Sequence, residues 1–218
     1  MRKWIPPVLV AIALAASAIA FSHLPARMPT HWGVHGEVNG WSSRAWGALV
    51  IPIVMAAIAL LMRVLPKIDP RSENYPKFIG TYEGVFISVL VFMLAVHVIL
   101  LAGALGYPVA IERWVPVGVG ALFVVIGNLI PRARPNWFVG IRTPWTLSSD
   151  RVWEKTHRLG GYLFVVMGFI VALGGLFGTG LLMPWMGGLI GAMALVLVVY
   201  SYVEWRREGA IPRPSSSP

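Results

Sequence analysis

Two stretches of the sequence hold most of the side chains able to do chemistry. The first, His23–Ala45, reads HLPARMPTHWGVHGEVNGWSSRA. His31 and His35 are four apart and Glu37 follows, residue types that can ligate a metal ion and activate water for hydrolysis. On a helix both imidazoles would share one face. Gly33, Gly36 and Gly40 disfavour a helix, and Pro25 and Pro29 break one upstream. No His-Glu-x-x-His helix is present. The sequence therefore favours a turn-rich loop whose polar groups, His31, Glu37 and Asn39 foremost, bond local backbone or meet a ligand. The candidate metal set is His31, His35 and Glu37.

The second stretch, Pro131–Leu159, reads PRARPNWFVGIRTPWTLSSDRVWEKTHRL. Pro131, Pro135, Pro144 and Gly140 keep its first half extended and turned. Ser148 or Ser149 then caps a helix that begins near Asp150. On that helix Asp150, Trp153 and His157 fall on one face, with Thr156 near it, and Glu154 can pair with Arg158. Asn136 and Arg142 come from the preceding turn. An arginine here can clamp a carboxylate, and Trp145 and Trp153 are flat anchors for a peptide or partner. The alternative is a capped interfacial segment in which Arg142 pairs with Asp150 and the tryptophans sit among headgroups. Two ionisable residues, Glu83 and His97, fall inside an apolar span, where such groups mark candidate functional positions. His97 reads as a hydrogen bonder between helices in preference to a proton relay.

The elements that carry these stretches are membrane helices. Of 218 residues 57% are hydrophobic and 12% charged, against about 25% charged in a soluble domain. Six segments are long and apolar enough to span a bilayer: Trp4–Ser22, Trp46–Leu65, Ile79–Leu105, Trp114–Ile130, Gly160–Gly178 and Trp185–Val203. The first is a retained helix rather than a signal peptide. Of the 18 Lys and Arg, fifteen fall on the side of the N-terminus and three (Arg27, Arg44, Arg113) opposite, which places both termini inside. Trp4, Trp46, Trp114, Trp185 and Trp205 mark span ends. The fold class is all-α, a bundle of about six transmembrane helices. Residues 1–65 hold two helices and the outer loop 23–45, and residues 66–208 hold four more with the inner loop 131–159. Residues 209–218 form a Pro- and Ser-rich tail expected to be disordered. Gly80 and Gly84, Gly174 and Gly178, and Gly187 and Gly191 have helix-contact spacing. With no cysteine, disulfides and thiol chemistry are excluded. The net charge of +9 suits an anionic leaflet, and no basic run suggests direct nucleic-acid binding.

Both loops resemble the SdpI family of bacterial membrane proteins. Leu24, Pro25, Pro29, His31, Gly36, Gly40 and Trp41 resemble its DUF1648 segment, with Arg44 where lysine is more usual. Gly127–Asn128 and Pro135–Gly161 resemble the SdpI signature. The resemblance implies a non-enzymatic protein of the bacterial cytoplasmic membrane, with no cofactor, that gives immunity to a secreted peptide toxin. It also implies that a small winged-helix autorepressor is held at the membrane. Ligand and partner contacts are expected at His31, Glu37 and Asn39 outside, and at Asn128, Asn136, Arg142, Trp145, Asp150, Trp153, Thr156 and His157 inside. The alternatives are a metal-dependent membrane hydrolase using the outer histidines and a small peptide or lipid transporter using His97 and Glu83.

Overall fold

The structure is a computed structural model that describes residues 3–33, 37–178 and 183–209. Its elements are α1 (Ile5–Ala20), β1 (Arg27–Trp32), β2 (Val38–Ser43), α2 (Arg44–Ile68), α3 (Tyr75–Ala104), α4 (Ile111–Leu129), the short α5 (Pro144–Ser148), α6 (Asp150–Leu176) and α7 (Met183–Gly209). Helices α2, α3, α4, α6 and α7, and α1 together with the turn that extends it to His23, are each long and apolar enough to cross a bilayer. The chain is a multi-pass helical membrane protein carrying a small two-stranded sheet. The expected tail lies almost wholly outside the described residues, as do His35 and Gly36.

Local sequence sets the helix ends. Pro6 and Pro7 open α1, where the missing N–H costs nothing. The Ser43 hydroxyl caps α2 by accepting from Trp46 N–H at 3.3 Å. The Ser149 hydroxyl caps α6 by accepting from Val152 N–H at 3.2 Å, with Asp150 in the favourable first turn. Pro52 and Pro66 in α2 and Pro116 in α4 sit inside helices, as membrane helices tolerate when neighbours cover the freed carbonyls. At ~1.5 Å per residue, the 27-residue α6 is about 40 Å long, well beyond the ~30 Å hydrocarbon core.

The outer stretch departs from expectation. It is an antiparallel ribbon rather than an irregular loop, with Arg27 opposite Ser43, Pro29 opposite Trp41 and Trp32 opposite Val38. The register is irregular between Pro29 and His31 and again between His31 and Trp32. Gly40 faces His31 so closely that an added Cβ would lie 2.6 Å from the His31 Cβ. The buried Met28 anchors the ribbon on Leu24, Ala48, Leu100 and Leu101.

Helices α1, α2 and α3 pack around Ala13, Met55 and Leu90. One polar link joins all three: the Ser17 hydroxyl donates to Ala48 C=O at 2.6 Å and lies 2.9 Å from His97 Nε2. Glu83 is buried in α3. Helices α4 and α6 meet along an antiparallel glycine seam. A Cβ on Gly120 would lie 2.4 Å from Gly168 O, and one on Gly127 would lie 2.7 Å from Gly161 O. Such approach lets backbones touch where lipid offers no hydrophobic drive. Among the described residues Gly80, Gly187 and Gly191, in the four-residue pairs, have nothing within 4 Å of an added Cβ. The contact glycines recur instead every seven residues.

The bundle has two distinct ends. The ribbon, the α3–α4 turn and the end of α6 lie together, joined where the Arg113 guanidinium donates to Leu176 C=O at 2.8 and 3.1 Å. The α2–α3 turn, residues 130–149 and the end of α7 make the other, where Arg71 donates to Leu147 C=O at 2.7 Å and Ser149 donates to Glu208.

Candidate functional site

The second end is a built platform. Its centre is Asn136, fully buried, whose side-chain amide uses all its main capacity on backbone. Nδ2 donates to Arg134 C=O at 2.9 Å and Val139 C=O at 2.8 Å. Oδ1 accepts from Phe138 N–H at 3.0 Å and Val139 N–H at 2.7 Å. An asparagine can fold a loop in this way because one planar group mimics a peptide unit. The loop then feeds Ile141 N–H into His157 Nε2 at 2.9 Å. Because Nε2 accepts, Nδ1 carries the proton and donates to Trp153 C=O at 2.8 Å. The neutral imidazole is thus the form that satisfies both bonds. Trp153 stacks on His157 with ring centroids 4.0 Å apart, and its indole N–H donates to Ala133 C=O at 2.8 Å. Gly140 has φ +127°, and an added Cβ would strike His157 Nε2 at 2.3 Å. Both the torsion and the space require glycine.

A second buried knot follows. Thr143 and Thr146 form a reciprocal cap on α5. Thr146 Oγ1 also donates to Ile141 C=O at 2.9 Å, and Thr143 Oγ1 meets Ser201 Oγ of α7 at 3.0 Å. Trp145 packs on Tyr202 with centroids 5.1 Å apart. Lys155 and Arg207 both engage the buried Glu204, tying α6 to α7.

The platform's third support was not singled out from sequence. Asp69, buried at the end of α2, accepts from Arg71 N–H at 2.7 Å, Tyr75 O–H at 2.8 Å and Trp137 N–H at 2.9 Å. Asn74 donates to Pro135 C=O at 2.9 Å. These bonds lock the α2–α3 turn to the inner loop. The signal available was Asp69-Pro70 directly after an apolar helix, an Asx-type turn start. Phe78, Tyr82, Ile130 and Val139 complete the apolar floor beneath Trp153.

The sequence-derived residues therefore divide. Asn136, Trp153 and His157 come together in the interior. Thr156 is buried on α6, and its hydroxyl has no hydrogen-bond partner among the described residues. Arg142 and Trp137 face outward: Trp137 is 47% exposed, and Arg142 uses one N–H on Trp137 C=O at 2.8 Å. Among the described residues the remaining four donors of the guanidinium fork have no partner and are open to a carboxylate. Asp150 is exposed and pairs with Arg71 at 3.7 Å, not with Arg142, because the Asn136 turn aims Arg142 back over Trp137. Glu154 pairs with Arg134 at 3.0 Å, not Arg158, since the inner loop brings Arg134 alongside α6. Asn128 stays on the exposed face of α4, donating to Val124 C=O at 2.7 Å.

At the ribbon end, His31 Nδ1 contacts Asn39 Oδ1 across the strands, and Gly33 N–H donates to Glu37 C=O at 2.8 Å. Among the described residues no group of three His, Cys, Asp or Glu is placed to hold a metal ion. The third member of the candidate metal set, His35, lies outside those residues.

Comparison with known proteins matches residues 132–203 to the SdpI/YfhL protein family and residues 8–56 to a domain of unknown function, DUF1648. The chain is 28% identical over 166 residues to "Immunity protein SdpI" of Bacillus subtilis (strain 168), covering 76% of this chain and 77% of that protein. No solved structure matches. The first matched segment contains most of the platform and the second contains the whole ribbon, so the chain is a multi-pass membrane protein that resembles the SdpI/YfhL family at the platform and DUF1648 at the ribbon.

Proposed function

We propose that this protein is a non-enzymatic immunity receptor of the bacterial cytoplasmic membrane. It protects its cell from a secreted peptide toxin met at the ribbon end, and its platform holds a small winged-helix repressor on the cytoplasmic side. The observation that carries the reading is the likeness to an immunity protein over three quarters of the chain, with the family segment falling on the platform. The charge distribution supports the orientation: of the 16 Lys and Arg among the described residues, 13 lie on the platform side. The platform separates support from display. Asn136, His157 and the Thr143–Thr146 pair spend their bonds inside it, while Arg142 and Trp137 are outward. A rigid scaffold with an arginine fork beside an indole is a suitable anchor for a partner carboxylate and an apolar side chain. Helix α3 touches both ends, from Tyr75 at the platform to Leu100 beneath the ribbon. Signalling through it requires two arrangements of the bundle that toxin and repressor distinguish.

The test is survival. A sensitive bacterium expressing the chain is challenged with purified secreted antibacterial peptides, beside cells with empty vector. Protection against at least one peptide is expected. Failure against every peptide, with the protein abundant in the membrane, would remove the immunity reading.

A further inference from the structure

A cavity of about 280 Å³ lies at the ribbon end between β1, α3 and α4. Its walls include Ile99 and Leu100 of α3 and Val115 of α4, with Glu112 at the first turn of α4. The third wall is residues 30–33, and no residue of β2 contributes. Side chains alternate between the two faces of a strand. That alternation is interrupted here, where the register is irregular between Pro29 and His31 and between His31 and Trp32, so residues 30–32 of β1 and Gly33 after it all line the cavity. Among the described residues β1 pairs only with β2, so its other edge is unpaired. An unpaired edge beside an apolar pocket is the arrangement that receives an added strand: main-chain bonds give affinity and alternate side chains enter the pocket. Glu112 adds charge. It is exposed and has no hydrogen-bond or ion-pair partner among the described residues, whereas its neighbour Arg113 is occupied by Leu176 C=O. An acidic group at the mouth of an apolar pocket complements a cation next to an apolar side chain.

We infer that an extended peptide adds to the free edge of β1, placing an apolar side chain in the cavity lined by Ile99, Leu100 and Val115 and a basic group against Glu112. The inference rests on the proposed function, in that the peptide is the outer ligand of the immunity receptor. Backbone pairing favours a peptide over a lipid, which has no strand to offer.

The experiment uses the full chain in phosphatidylcholine nanodiscs and a fluorescent Lys-Val-Leu-Val-Leu amide as probe, with empty nanodiscs as the partition control. Saturable binding by the native chain is expected. Methylating alternate backbone nitrogens of the probe should weaken it about tenfold or more, as should filling the cavity by Val115→Trp. Glu112→Gln should weaken the lysine probe but not its norleucine counterpart. Val125→Trp, on an exposed position of α4 away from the cavity, should bind as native. Absence of saturable binding, or equal binding of the methylated probe, overturns the inference, and neither outcome depends on a variant folding. Displacement by lysophosphatidylcholine with indifference to probe methylation would assign the cavity to a lipid and also overturn it. Survival assays separate this from the broader reading. If native and Val115→Trp chains protect equally while probe binding is lost, the toxin is not the cavity's ligand. If the native chain fails to protect, the immunity reading falls while the probe still judges the cavity.

Discussion

Asn136 and His157 do their work on backbone, so their loss should be felt as instability. His157→Ala leaves Ile141 N–H unpaired in a buried site and removes the ring stacked on Trp153. An orphaned donor costs about 1–3 kcal/mol and the cavity adds to it, so a loss of about 2–4 kcal/mol is expected. Thermal unfolding in detergent measures it, and an unchanged melting temperature would contradict the described bonds. Arg142 is the opposite case. With one bond to Trp137 C=O and an exposed position, Arg142→Ala should change stability by no more than about 0.5 kcal/mol. The same variant should lose retention of the repressor, read as membrane co-sedimentation of a small winged-helix protein. Retention equal to native would place the partner elsewhere. The sequence made the interior legible in type but not in role. Asn136, Trp153 and His157 were readable as a cluster because helical spacing aligns the last two. That Arg71 rather than Arg142 meets Asp150 depended on Asp69 fixing the α2–α3 turn, a contact between distant segments that spacing does not encode.

Among the elements, the α4–α6 seam sets the geometry of the half that bears the platform. Gly127 and Gly168 each face backbone of the other helix. Gly127→Leu or Gly168→Leu should destabilise the protein by about 1–3 kcal/mol or more through overpacking. Gly187→Leu meets nothing within 4 Å and should fall within about 0.5 kcal/mol of native. Thermal melts of the three variants decide the matter, and equal losses would contradict the seam. Six apolar helices were legible from composition and length, because the bilayer imposes both. The seam was less so: a four-residue glycine search finds pairs such as Gly187 and Gly191, whereas the contact glycines recur every seven residues in antiparallel partners. The ribbon was hidden by Gly33, Gly36, Pro25 and Pro29, which signal turns. Its pairing was set by Met28 docking on Leu24 and Ala48 and by Gly40 accommodating His31.

For the whole molecule, orientation is the first consequence to check. The chain has no cysteine, so single cysteines report sidedness without background. Val38→Cys on the ribbon should react with a membrane-impermeant maleimide in intact cells. Ser148→Cys at the platform should react only after permeabilisation. The reverse pattern would invert the receptor and move the proposed partners to opposite sides. In the proposed function the protein is a shield whose outer end would meet a peptide and whose inner end would answer to it. The central claim is tested most directly by a survival curve for a sensitive bacterium carrying the native chain, against purified secreted toxic peptides, at membrane abundance matched to an inactive control. The account expects at least one peptide for which the half-lethal concentration rises about tenfold or more, equivalent to ~1.4 kcal/mol. Superimposable curves with and without the chain, for every peptide, would contradict it.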